Sequence, residues 1–242
     1  MRYAIQWIRS LAFNIAMYAG MPVVGILFLP WAMLDRRGAR YAAHLWCRYV
    51  KWIARWMIGL NVEYRGTPPT DEVMVAPKHQ SFMDVILIYS AMPAGKFVFK
   101  SELRWAPIVG QYALMLGCVP VNRGKRAQAI KKMISDVKSG RSEPGQLIIY
   151  PQGTRVGPGL KKPYKTGTGA LYKELGQDCV PVACNVGVFW PKRGVYRKPG
   201  TIVIEFMERI PAGLPVDVFM ARIEDMVETR SDELAREAGW KG

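Results

Sequence analysis

Between Leu11 and Met33 the run LAFNIAMYAGMPVVGILFLPWAM carries no charge. About 20 such residues are enough to cross the hydrocarbon core of a bilayer, so this segment is expected to sit in lipid. It exceeds the h-region of a cleaved signal peptide, and no small-x-small cleavage site follows before Arg36 and Arg37. Arg2 and Arg9 precede it and Asp35, Arg36, Arg37 and Arg40 follow, which leaves its orientation open under the positive-inside rule. Pro22 and Pro30 remove backbone donors and predict a kink, which suits a re-entrant helix as well as a crossing one.

A second helix is expected over Tyr41 to Leu60, with His44, Arg48, Lys51 and Arg55 on one face and Trp46, Tyr49, Val50, Ile53, Trp56 and Met57 on the other. A basic stripe beside interfacial tryptophans fits a helix lying in a membrane surface. The alternative is an amphipathic helix packed on its own domain. Residues 1–60 are thus read as a membrane-associated helix pair and residues 61–242 as a separate α/β domain.

The net charge of +15 on 242 residues favours polyanionic partners: nucleic acid, anionic head groups or phosphorylated substrates. Against nucleic acid, the aromatics gather beside the apolar N-terminus instead of interleaving with Lys and Arg across a sheet face. Cys47, Cys118, Cys179 and Cys184 show no C-x-x-C spacing, and His44 and His79 lie in unlike segments, so neither a metal site nor a disulfide scaffold is indicated. The simplest reading is a reduced protein facing the cytoplasm.

After Gly59 short β-rich runs alternate with helical ones, the pattern of a mixed β-sheet with flanking helices. The expected strands are Val62 to Arg65, Val73 to Ala76, Phe97 to Phe99, Cys118 to Val121, Leu147 to Tyr150, Val180 to Ala183 and Ile202 to Phe206. The expected helices are Phe82 to Ala91, Ile108 to Leu116, Lys125 to Ser139, Gly167 to Leu175 and Val216 to Glu237.

Unusual residues sit where these strands end. His79-Gln-Ser-Phe-Met-Asp84 follows the second strand, Asn122-Arg123 the fourth and Tyr150-Pro-Gln-Gly-Thr-Arg155 the fifth, while Val180-Pro-Val-Ala183 is itself a strand. On one continuous helix, residues five apart point about 140° away from each other. His79 and Asp84 can therefore meet only if His79 stands in the loop before the helix. Ser81 as N-cap would put Asp84 at N3, its carboxylate turned back to fix the imidazole tautomer. S-x-x-D is equally a plain capping box, and lone arginines are commonly surface charges. Order and spacing together carry more weight than any one motif.

In that order the motifs resemble the glycerolipid acyltransferase superfamily, most closely its bacterial 1-acyl-sn-glycerol-3-phosphate acyltransferases, over about Lys78 to Ala183. The resemblance implies that His79 and Asp84 are catalytic and that Lys100, Arg123 and Arg155 hold the acceptor's phosphate. It further implies that Gln152, Gly153 and Thr154 belong to the substrate site and that Val180, Pro181 and Val182 lie on its acyl-chain side. Gln152 stands where relatives usually carry Glu, which opens the acceptor's head group to question. No cofactor is implied. The donor would be acyl-CoA or acyl carrier protein, the acceptor a lysophospholipid, and the location the inner membrane with the catalytic domain towards the cytoplasm. The helix following His79 is the nearest supply of oxyanion donors. Rival readings are another acceptor (glycerol 3-phosphate or a lyso-aminolipid), a hydrolase using Ser81 or Cys118, which lacks a G-x-S-x-G elbow, and a non-catalytic membrane-surface binder.

Overall fold

The computed structural model describes residues 2–121, 128, 131, 135 and 143–241. Helix α1 (Arg2–Leu34) runs unbroken through both prolines, at about 1.5 Å per residue some 50 Å long. The kink expected from Pro22 and Pro30 does not interrupt it. The break falls at Asp35, in an extended conformation, whose carboxylate accepts from the Arg37 N–H at 2.8 Å and so starts α2 (Arg36–Ile58). Helix α2 therefore begins earlier than its hydrophobic pattern suggests, and it stops at Gly59, which caps it at φ +68°. The side chains of Gln6 and Arg9 on α1 donate to the end carbonyls of α2, Gln6 to Ile58 and Arg9 to Met57 and Trp56.

The basic stripe of α2 is only half turned outward. Arg48 and Arg55 are exposed, while the His44 ring stacks 5.0 Å from that of Tyr89 and Lys51 lies 5.4 Å over the Tyr64 ring. On the opposite side Val50, Ile53, Ala54 and Ile58 are buried in a core shared with Phe13 and Met17 of α1 and with the sheet. The alternative weighed above, a helix packed on its own domain, describes most of α2, because its apolar face is what covers the sheet.

Among the described residues the sheet has seven strands: β1 (Leu60–Arg65), β2 (Met74–Pro77), β3 (Lys96–Lys100), β4 (Val119–Val121), β5 (Leu147–Ile148), β6 (Cys179–Cys184) and β7 (Gly200–Phe206). They lie in the order β1-β7-β6-β2-β5-β3-β4. All neighbours are parallel except β6 and β7. The further helices described are α3 (Met83–Ala91), α4 (Val109–Met115), α5 (Thr166–Leu175), a short α6 (Val186–Phe189) and α7 (Val216–Glu237), with a 3₁₀ turn at Ser101–Trp105. Every expected strand is present, β5 shorter than expected because Pro151 and the turn at Gly153 (φ +64°) follow it. Of the expected helix over Lys125 to Ser139 only residues 128, 131 and 135 are described, each helical, and the rest lies outside the described residues.

A strand's side chains alternate between faces, and here that alternation splits the core in two. Val75 and Ile148 point to a cluster with α2 and α3, while Met74, Ala76, Leu147 and Ile149 point to one with α5 and α7. The continuous apolar runs of β2 and β6, buried at every position, follow from a sheet covered on both sides. Neighbouring strands β2 and β5 thus send their chains to opposite faces, into α3 and α5. Ligands of open α/β sheets bind in the crevice outside the carboxyl ends of such strands, which directs attention to the carboxyl ends of β2 and β5.

Candidate active site

His79 stands at the carboxyl end of β2, in the loop between β2 and α3. The loop is held on both sides: the Lys78 N–H donates to the Val182 carbonyl at 2.9 Å, and the His79 carbonyl accepts from the Val156 N–H at 2.8 Å. His79 Nδ1 lies 2.9 Å from Asp84 Oδ1. An ionised carboxylate can only accept, so Nδ1 carries the hydrogen and Nε2 is left as a base. Asp84 is fully buried, and its other oxygen takes the Gln80 and Ser81 N–H groups at 2.7 and 2.6 Å. The imidazole keeps some solvent exposure and stacks on the Tyr150 ring, centroids 4.0 Å apart. Burial, aided by the charge of Asp84, pushes the Tyr150 phenol well up and keeps it protonated.

Two expectations about this corner change. Helix α3 starts at Met83 with Phe82 at the cap, so Ser81 is not the N-cap and Asp84 is the second helical residue; the Ser81 hydroxyl instead accepts from the Met83 N–H at 3.0 Å. The carboxylate still faces the loop. The backbone donors expected for an oxyanion are largely engaged, since those of Gln80 and Ser81 go to Asp84 and that of Met83 to Ser81.

The third motif turns tightly after β5. Gly153 takes the left-handed conformation and closes on the Tyr150 carbonyl at 3.0 Å. Thr154 and Arg155 are half-exposed beside it, and the Arg155 guanidinium reaches the Lys192 carbonyl at 3.3 Å. Gln152 points the other way: it is buried and donates to Glu228 of α7 at 3.1 Å. Arg123 and the side chain of Lys100, the other two expected phosphate ligands, lie outside what is described. Lys100 ends β3, its backbone opposite Val121.

Val180, Pro181 and Val182 sit mid-sheet in β6, the two valines in the core beneath α3. The open apolar space is elsewhere, a cavity of about 210 Å³ between α1, α2, α3 and α4. Its walls include Met21, Gly25, Ala43, Trp46, Val85 and Ala113, and it reaches Phe82 in the turn beside Asp84. This chamber escaped the sequence reading; the signal was there in the small residues Gly25, Ala42, Ala43 and Ala113, spread over three helices and meeting only in the fold. Of the rival nucleophiles, Ser81 is fully buried and its hydroxyl is engaged. Cys118 is buried, its thiol pushed up to about 11 by burial, the opposite of an activated cysteine.

At this corner a buried carboxylate orients an imidazole, and an apolar chamber reaches the adjoining turn at Phe82. The acyltransferase family model matches residues 60–185, just over half of the chain, including all of this corner. A 1-acyl-sn-glycerol-3-phosphate acyltransferase of Pseudomonas aeruginosa is 28% identical over 204 residues, covering 83% of this chain and 79% of its own. One from Limnanthes alba is 25% identical, covering 97% and 79%. The crystal structure of the 1-acyl-sn-glycerophosphate (LPA) acyltransferase PlsC from Thermotoga maritima superposes with a TM-score of 0.80 at 21% identity, covering 97% of this chain and 99% of that one. The chain belongs to the acyltransferase family and is an enzyme of acyl transfer.

Proposed function

We propose that this enzyme transfers a fatty acyl group from an acyl-CoA or acyl-carrier-protein thioester to the free hydroxyl of lysophosphatidic acid, giving phosphatidic acid. The observation that carries the reading is the 2.9 Å contact between His79 and Asp84, in the turn whose Phe82 lines the apolar chamber. His79 Nε2 takes the proton of the acceptor hydroxyl as its oxygen attacks the thioester carbonyl, and Asp84 stabilises the imidazolium that forms. The tetrahedral intermediate then expels the thiolate, which recovers the proton from the imidazolium. No acyl-enzyme and no cofactor are needed. Arg155, with Lys100 and Arg123, holds the acceptor's phosphate, and the chamber takes an acyl chain.

Helix α1 is long and apolar enough to cross a membrane. Its outward side chains, among them Ile15, Val23, Ile26 and Leu27, support seating at a bilayer, with the crevice on the cytoplasmic side of an inner membrane. The amide at position 152 faces Glu228 and not the crevice, so this departure from the family pattern does not itself argue for another acceptor. The test is to incubate purified enzyme in lipid with both donors and with lysophosphatidic acid, glycerol 3-phosphate and lyso-aminolipids, identifying products by mass spectrometry. Phosphatidic acid as the main product is expected; transfer only to another acceptor overturns the reading.

A further inference from the structure

Lys78, the residue before His79, is 2% exposed, and its ammonium is paired with the Glu228 carboxylate. The other oxygen of Glu228 accepts from Gln152 at 3.1 Å and from the Tyr164 hydroxyl at 3.0 Å. One buried carboxylate therefore joins three separate stretches of chain. It holds the loop carrying His79 through Lys78, and the turn whose Tyr150 ring packs on the imidazole through Gln152. Tyr164 ties in the segment leading to α5. Glu228 lies far beyond residues 60–185, the span that matches the family.

Charge counting makes the arrangement specific. A single buried cation is matched by a single carboxylate, and a second one at position 152 would sit within hydrogen-bond distance of the first, where two like charges cannot both ionise. The neutral amide at 152 is thus the partner that Glu228 requires. We propose that Glu228 is a positioning residue for the acyl transfer reaction: through Lys78 and Gln152 it locks the His79 loop to the Tyr150–Arg155 turn and sets the imidazole against the acceptor hydroxyl. The proposal rests on the catalytic role of His79 given above. A base displaced by even about 1 Å loses much of its effect, so loss of the lock lowers the chemical step while acceptor binding stays intact.

Removing Glu228 alone strands a buried ammonium and endangers folding, so two double variants carry the test. Lys78→Met with Glu228→Gln removes both charges. Gln152→Glu with Glu228→Gln moves the carboxylate to the other side of the pair; the new amide at 228 accepts from Lys78 and donates to the new carboxylate at 152. Each is compared with wild type by circular dichroism and by kinetics with lysophosphatidic acid and palmitoyl-CoA. The neutral pair is expected to stay folded and lose about 10- to 100-fold in kcat with little change in acceptor KM. The transposed pair is expected to recover most of that loss. A neutral pair within about threefold of wild type in kcat, or a transposed pair that is unfolded or no better than the neutral one, overturns the proposal. An inactive wild type sinks the catalytic reading itself, whereas an active wild type with either of the other results sinks only the role of Glu228.

Discussion

Two buried carboxylates grip the loop from Lys78 to Ser81 from opposite faces of the sheet. Asp84, on α3, lies five residues from the imidazole it orients; Glu228, on α7, is 150 residues from its lysine. Among the described residues Asp84 takes donors from neighbouring His79, Gln80 and Ser81, whereas Glu228 collects three side chains from three distant segments. The first sits beside a hollow lined by small residues, the second above a filled layer in which Tyr172 and Phe219 stack with centroids 3.8 Å apart. In the proposed reaction the hollow side does the chemistry and admits an acyl chain, and the filled side fixes where that chemistry stands.

The sharpest way to break this division is at the base. His79→Ala is expected to lower kcat by about 10³- to 10⁴-fold per folded molecule, far more than the stability lost with the ring that stacks on Tyr150 and pairs with Asp84. Retention of more than a tenth of the activity in purified protein would remove His79 from the mechanism. Asp84→Asn comes next, at about 10²- to 10³-fold: the amide still fills the space but neither carries the charge that steadies the imidazolium nor enforces the Nδ1–H tautomer. Because Asp84 also takes two backbone N–H groups, this variant should lose stability as well, measured by denaturant unfolding. Activity lost in strict proportion to the folded fraction would reduce Asp84 to a structural group.

The hollow side makes a smaller and selective prediction. Ala43→Phe puts a ring into the chamber, and if two methylenes of a long chain no longer fit at about 0.8 kcal/mol each, kcat/KM for that donor falls about 15-fold relative to a donor two carbons shorter. Parallel losses for long and short donors would show that the chamber does not hold the acyl chain.

How far each carboxylate could be read from sequence follows the same division. H-x-x-x-x-D is local, and helix geometry alone required His79 to stand outside α3; the error was small, a cap at Phe82 instead of Ser81. The apolar run from Val73 to Ala76 likewise announced a strand, and the structure buries β2 at every position. Glu228 was invisible because its meaning lies in a contact across the sheet. Faint local signs did exist: Lys78 follows an entirely apolar strand, and Glu228 and Ser231 interrupt the buried stripe of Phe219, Ile223, Val227 and Leu234 on α7. A charge inside an apolar stripe demands a partner, but the sequence does not say which. The α2 stripe shows the converse: periodicity groups residues onto a face without saying what each one meets, and His44 and Lys51 meet Tyr89 and Tyr64 while Arg48 and Arg55 are exposed.

An exposed carboxylate supplies the baseline against which the two buried ones stand out. Asp71 meets Arg209 through two contacts of 2.6 Å, a bidentate pair on the surface near the start of β2. The hydrogen bonds from Arg209 hold its carboxyl below the ordinary 3.8. Both side chains are about half exposed, so water and salt screen the pair, and Asp71→Asn should cost only about 0.5 kcal/mol. A carboxyl lowered on folding adds stability that is present above its unfolded pKa and is lost as pH falls through the folded value. The gap between wild type and Asp71→Asn should therefore be constant from neutral pH down to about 5 and close progressively in stronger acid. It should also shrink in high salt, with activity unaffected throughout. A gap above about 2 kcal/mol, or one insensitive to salt, would place Asp71 with Asp84 and Glu228 and erase the distinction between carboxylates that build this site and those that merely decorate the surface.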